Sequence, residues 1–306
     1  MNKIIILTLL SLCSCVSLVA QPKTYKSLYT KAYNLGTTNP DSAIYYAQQA
    51  LRLAQTTQQK ATTHWLKAYY ARKMGYYSLA IQDYQQAYDF YQNQAQKATM
   101  LKNIAFCYKN IGDHQTAIPI AMKATQNFSQ LGDTTKLIQA LNLLGNCYRA
   151  LYNYGDADST LRLAIQLAKK VKSKELINVY GDFASLKSNL TQYDSAAYYQ
   201  KYAIENFKDN NPSKACFRYM LLSRYYLPLE KPDLAQYYLN KALVIDQQSL
   251  EVKVYLQATK GLLHFINREE AEGKAAYRLC DTVLKQLREH SPHLIQQKYA
   301  RKTALE

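Results

Sequence analysis

Alanine recurs in this chain at an interval that restricts what the chain can fold into. Seven alanines mark equivalent points, Ala43, Ala80, Ala117, Ala157, Ala196, Ala235 and Ala275, separated by 37, 37, 40, 39, 39 and 40 residues. Seven residues after each of the first six stands a second alanine (Ala50, Ala87, Ala124, Ala164, Ala203 and Ala242), with Thr282 in the seventh place. Alanine makes up about one residue in nine of the chain, so six pairs in phase are not accidental. Twelve residues before the marker, repeats two to six carry a further small residue: Ala68, Ala105, Gly145, Ala184 and Ser223. A period in this range signals a stack of supersecondary units rather than one central core.

Helix crossing explains the pattern. Two helices joined by a tight turn approach to the near end of the roughly 8–10 Å range only where side chains are small. One small position on a first helix and two, a heptad apart, on a second describe such a hairpin. The segments between them carry turn and helix-start residues: Asn39-Pro40-Asp41-Ser42, Lys231-Pro232-Asp233, Gly75-Tyr76-Tyr77, Gly112-Asp113-His114 and Tyr193-Asp194-Ser195. Only 9 glycines and 7 prolines occur in 306 residues, too few for a turn-rich sandwich or barrel. Hydrophobic residues at 48% against 20% charged exclude wholesale disorder. The expectation is an all-α array of about seven hairpins over residues 24–288, followed by a basic helical tail over 289–306 (Lys298, Arg301, Lys302).

The pattern resembles the tetratricopeptide repeat (TPR). Leu144-Gly145 followed by Tyr148 carries the likeness best, and Asn103-Ile104-Ala105, Tyr108 and Gly112-Asp113 repeat it. The period of 37 to 40 exceeds the family's usual figure of about 34, which implies longer helices or longer links. The resemblance implies a right-handed superhelical solenoid that binds protein or peptide along its concave face. Exported sensor or scaffold halves of bacterial regulators are similar too, which makes a free-standing relative or the truncated sensor half of a longer regulator the two forms expected of this chain.

The first twenty residues read as an export signal. Asn2 and Lys3 precede an apolar run from Ile4 to Leu12, which is too short for a comfortable membrane span. Leu12-Cys13-Ser14-Cys15 resembles a lipobox with Cys15 as the lipid carrier; cleavage after Ala20 is the other route. Both place the mature chain outside the cytoplasmic membrane, in the periplasm or anchored to the envelope, with no later transmembrane span. Cys107 and Cys147 occupy equivalent places on adjacent first helices, about 10 Å apart and too far for a disulfide, so they read as packing residues. Cys216 and Cys280 have no pairing argument.

Counting from the small first-helix residue, the positions three before, one after and four after it face the concave side. They give Trp65, Tyr69 and Arg72, then Lys102, Phe106 and Lys109, then Asn142, Asn146 and Arg149 as candidate peptide-binding residues. Repeat five is plain there (Gly181, Ser185, Ser188), and repeat six offers Met220, Arg224 and Leu227. Aromatics supply contact area and asparagines hold a peptide backbone, while the basic ladder Arg72, Lys109, Arg149 attracts acidic segments or a C-terminal carboxylate. Cations in the last helical turn also have a purely structural reason to be there, the helix dipole. Lys102 and Asn146 match two members of the family's carboxylate clamp, but Phe106 stands where an asparagine belongs, so the clamp does not carry over.

Catalytic and metal chemistry find no support in the sequence. The five histidines are scattered, and Pro292 breaks the helix that would align His290 with His293. No phosphate loop or nucleophile elbow occurs. No enzyme activity, cofactor, metal or nucleic acid is expected. The formal charge of +16 leaves one other class open, attachment of a basic protein to a polyanion or anionic envelope surface.

Overall fold

The computed structural model describes residues 24–206, 211–245 and 250–290; the leader with Cys15, and the tail beyond residue 290, lie outside them. Among the described residues fourteen helices pair in chain order into seven hairpins. They are α1 (Tyr25–Leu35) with α2 (Pro40–Arg52), α3 (Thr57–Lys73) with α4 (Tyr77–Phe90), and α5 (Gln94–Asn110) with α6 (His114–Gln130). Next come α7 (Thr134–Ala150) with α8 (Tyr154–Lys170) and α9 (Leu176–Asn189) with α10 (Tyr193–Asn206). The last two are α11 (Pro212–Tyr226) with α12 (Pro232–Leu243) and α13 (Leu250–Ile266) with α14 (Glu270–His290). Each helix packs on its neighbours in the chain, and first helices also touch across hairpins: α5 on α7, α7 on α9, and α11 on α13. The core is a chain of small clusters, each shared between neighbouring hairpins, as a solenoid requires. Among the described residues no helix is long and apolar enough to cross a membrane.

The small residues lie where crossing requires them. All twelve alanines of the first six marker pairs are fully buried. A Cβ on Gly145 would stand 2.6 Å from Leu161 Cγ, so α7 and α8 meet closer than even alanine allows. The Ser223 hydroxyl, at the equivalent place in hairpin six, donates to Ala235 O at 2.7 Å across the same crossing.

The turns inside hairpins two to seven follow one rule. The residue seven after the small one adopts a left-handed conformation: Gly75, Gly112, Tyr152, Thr191, Glu230 and Arg268, with φ between 54° and 86°. The next residue's N–H closes a Schellman bond to the carbonyl three after the small residue, as in Asp113 to Tyr108 (2.9 Å) and Asn153 to Tyr148 (3.0 Å). Side-chain caps then start three of the second helices, α2, α6 and α8: Asn39 accepts from Ser42 N, Asp113 from Thr116 N and Asn153 from Asp156 N.

The same rule corrects the seventh repeat. Arg268 is left-handed and Glu269 N–H bonds to His264 O at 2.8 Å, which makes Gly261 the small first-helix residue. A Cβ there would meet Gly273 O at 3.3 Å, so the marker pair is Gly273 and Cys280. Ala275 and Thr282 instead face solvent. Glycine replaced alanine at the crossing, and a neighbouring alanine drew the sequence-based register two residues astray.

Candidate functional site

The inner faces of hairpins two to six line a groove of about 580 Å³. Seven of the nine candidate residues line it: Arg72 from α3, Lys102, Phe106 and Lys109 from α5, and Asn142, Asn146 and Arg149 from α7. Arg72, Lys109 and Arg149 fall in the last turns of their helices. Arg72 is held from below, its Nε donating to the hydroxyl of fully buried Tyr84 at 3.3 Å. Its guanidinium lies 5.1 Å from the Phe106 ring centre, and Lys109 Nζ approaches the same ring to 5.0 Å. Among the described residues none of Arg72, Lys102, Lys109 or Arg149 forms an ion pair.

Polar groups form a ladder along the floor. Lys102 Nζ donates to Gln139 Oε1 (2.6 Å), Gln139 Nε2 to Glu175 Oε1 (2.8 Å) and Asn178 Nδ2 to Glu175 Oε2 (3.0 Å). Arg218 closes the far end on Asn178 Oδ1 (2.9 Å) and on Ile177 O (3.1 Å). Asn142 Nδ2 donates to Asp182 at 2.6 Å, and Arg149 to Asn146 Oδ1 at 3.2 Å. This leaves Asn142 Oδ1 and Arg149 Nε buried without a hydrogen-bond partner, a costly state that a ligand with both donors and acceptors relieves. Burial, with Lys136 and Arg72 nearby, lowers the Lys102 pKa against the opposing pull of Glu175. Burial, then Lys109 and Arg149, likewise lowers that of His114, whose Nδ1 is also buried without a partner. Five cations, counting Lys214, against Glu175 and Asp182 leave the lining three charges positive.

Residues 96–170, which hold hairpins three and four, match the family model for the tetratricopeptide repeat. This segment is a tandem pair of tetratricopeptide repeats. Solved structures extend the fold to the remainder. The apo form of RapI superposes with a TM-score of 0.70, covering 87% of this chain and 99% of its own at 13% identity. A tetratricopeptide repeat protein from Parabacteroides merdae gives 0.64, covering 90% and 98% at 17% identity. The Rap conjugation gene regulator of plasmid pLS20, in complex with a Phr peptide, gives 0.64, covering 92% of each chain at 14% identity. Likeness at these identities speaks for the fold alone. No curated protein matches the sequence.

The helical array places Trp65 and Tyr69 outside this groove. Trp65 fills the junction between hairpins one and two, beside Ile44 and Leu66, and stacks on Tyr69 at 5.9 Å. Tyr69 in turn lies beneath Arg72, 5.4 Å from it, and so supports a groove residue from behind. Repeat five, which looked plain, supplies the acidic wall. Glu175 precedes α9 and Asp182 lies two residues before Ala184, a step off the counted position, so the spacing rule passed over both. Gly181 is small because the Arg218 guanidinium covers it: a Cβ there would fall 2.5 Å from Nη1. Ser185 and Ser188, with Met220, Arg224 and Leu227, line a second groove of about 580 Å³ that shares Arg149 and Asp182 with the first. Cys107, Cys147, Cys216 and Cys280 are free and buried; burial pushes the Cys107 thiol to about 12. Among the described residues no group of three or more histidine, cysteine or acidic side chains could hold a metal ion.

Proposed function

We propose that this chain is a non-enzymatic scaffold that binds a protein or peptide, acidic ones included, in the inner groove of its helical array, and that it works outside the cytoplasmic membrane. One observation carries the binding reading: seven side chains from three successive hairpins converge on one groove, where unpaired cations lie beside buried, unsatisfied amide and guanidinium atoms. The fold is shared with a Rap regulator solved in complex with a Phr peptide, which supports a peptide as the class of ligand. The apolar leader and Cys15 support export, by soluble release or a lipid anchor.

Electrostatic attachment to an anionic envelope surface is the second reading, favoured by the formal charge of +16. Affinity capture from an envelope fraction separates the two. Groove recognition requires that Phe106→Ala and Asn146→Ala abolish capture at moderate salt. Surface attachment requires that capture fade with salt and ignore both substitutions. Labelling with a lipid precursor, native chain against Cys15→Ala, tests the anchor.

A further inference from the structure

The basic groove opens directly onto the second one, and the chemistry changes at the boundary. Arg149 and Asp182 line both. Beyond them the walls come from α9, α11 and α13 and turn apolar, with Phe217, Leu221, Tyr255 and Leu262 among them. Phe217, Tyr255 and Leu262 are 37%, 49% and 38% exposed, although they sit on the inner face rather than scattered over the outside. Phe217 and Tyr255 meet edge to face with ring centres 6.0 Å apart and so form a ready-made wall. Exposed apolar side chains gathered in a concavity and rimmed by polar residues, here Ser185 and Ser188, are the mark of an occupied surface. A flat anionic surface would reach the cations but leave this concavity unfilled.

We propose that the ligand is an extended peptide with two anchors: a carboxylate side chain over Arg149 and Lys109, and a large apolar side chain between Phe217, Tyr255 and Leu262. The separation follows from the stacking. First helices of successive hairpins sit about 10 Å apart, so the apolar wall on α11 and α13 lies two to three steps, about 20–30 Å, beyond Arg149 on α7. An extended chain advances about 3.3 Å per residue, which puts the anchors about six to nine residues apart. The two carboxylates between them, Asp182 and Glu175, already accept hydrogen bonds from Asn142, Gln139 and Asn178, and they repel a second acid placed further along. The apolar anchor therefore belongs on the side of hairpins five to seven and the acidic one on the side of hairpins three and four.

The proposal rests on the peptide-binding reading, and the test separates their failures. The mature chain is panned against a random twelve-residue peptide display library. Enriched peptides are remeasured by fluorescence anisotropy against the native chain, Arg149→Gln, and Phe217→Ala with Leu262→Ala, each checked for unchanged helicity. The expected result is enrichment of Asp or Glu about six to nine residues from Leu, Ile, Met, Phe or Tyr. Arg149→Gln should weaken such peptides about tenfold, and should have little effect once the peptide's acid is replaced by its amide. The apolar double variant should weaken them by a similar factor, removed when the peptide's apolar residue becomes serine. Tight peptides that lack the paired anchors, or losses that add without coupling, overturn the two-anchor ligand and leave peptide binding intact. A library that yields no binder overturns both.

Discussion

Replacing Gly145 with alanine adds one methyl group at a place where the structure has no room for it. The new Cβ would sit 2.6 Å from Leu161 Cγ and 2.8 Å from Cδ2. Leu161 is fully buried, and Cγ is a branch point rather than a free end, so relief requires a poor rotamer or a wider crossing of α7 and α8. Overpacking of this kind costs about 1–3 kcal/mol. Against it stands the gain of about 1 kcal/mol from exchanging glycine for alanine inside a helix. The net expectation is a loss of about 0–2 kcal/mol. Gly155→Ala is the matched control: it lies in the first turn of α8, and nothing stands within 4 Å of its Cβ. There only the propensity gain acts, so the chain should become slightly more stable. Thermal unfolding followed by circular dichroism reads both, at about 2–4 °C per kcal/mol for chains approaching this size. Hydrogen exchange in α7 and α8 localises the change if the array melts in parts. A gain in stability for Gly145→Ala as large as that of Gly155→Ala would refute the claim that side-chain size sets the crossing.

Three further outcomes follow from other parts of the molecule. Tyr152 and Glu230 hold the left-handed turn position that Gly75 and Gly112 hold elsewhere, so Tyr152→Gly and Glu230→Gly should each raise the unfolding free energy read from urea titration by about 0.5–1 kcal/mol, and Gly112→Ala should lower it by about 1 kcal/mol. The buried cysteines should resist Ellman's reagent at pH 8 in the native chain and react at once in denaturant; rapid native labelling of Cys107 would contradict its burial and its pKa of about 12. His114 has a lowered folded pKa, so the unfolded chain takes up a proton that the folded one refuses: its contribution to stability is present above the unfolded value of about 6.5 and is lost as pH falls below it. His114→Gln should flatten that part of the urea midpoint between pH 7 and 5, and an unchanged slope would contradict the assigned cause.

The hairpins were legible because crossing geometry leaves a size requirement in the sequence, and alanine meets it most often. The seventh repeat was misread for the same reason, since Gly261, Gly273 and Cys280 satisfy the requirement with other residues. Counting from the small residue also found most of the groove, because helical periodicity carries a side chain's direction from one hairpin to the next. It failed where direction depends on more than count. Trp65 is large enough to be drawn into the junction between hairpins, and Glu175 lies before its helix begins. Gly181 reads as empty in the sequence, yet it is the landing site of an arginine 37 residues later, a contact that no local pattern encodes.

The hydrogen-bonded run from Lys102 through Gln139, Glu175 and Asn178 to Arg218 behaves as a tendon along the inner edge of hairpins three to six. Lengthening any step by about 1 Å breaks that link, so the edge cannot stretch without several ruptures in series. Bending of the array is therefore displaced to its two ends, before Lys102 and beyond Arg218. A guest spanning both grooves meets one rigid wall and one that can fold over it.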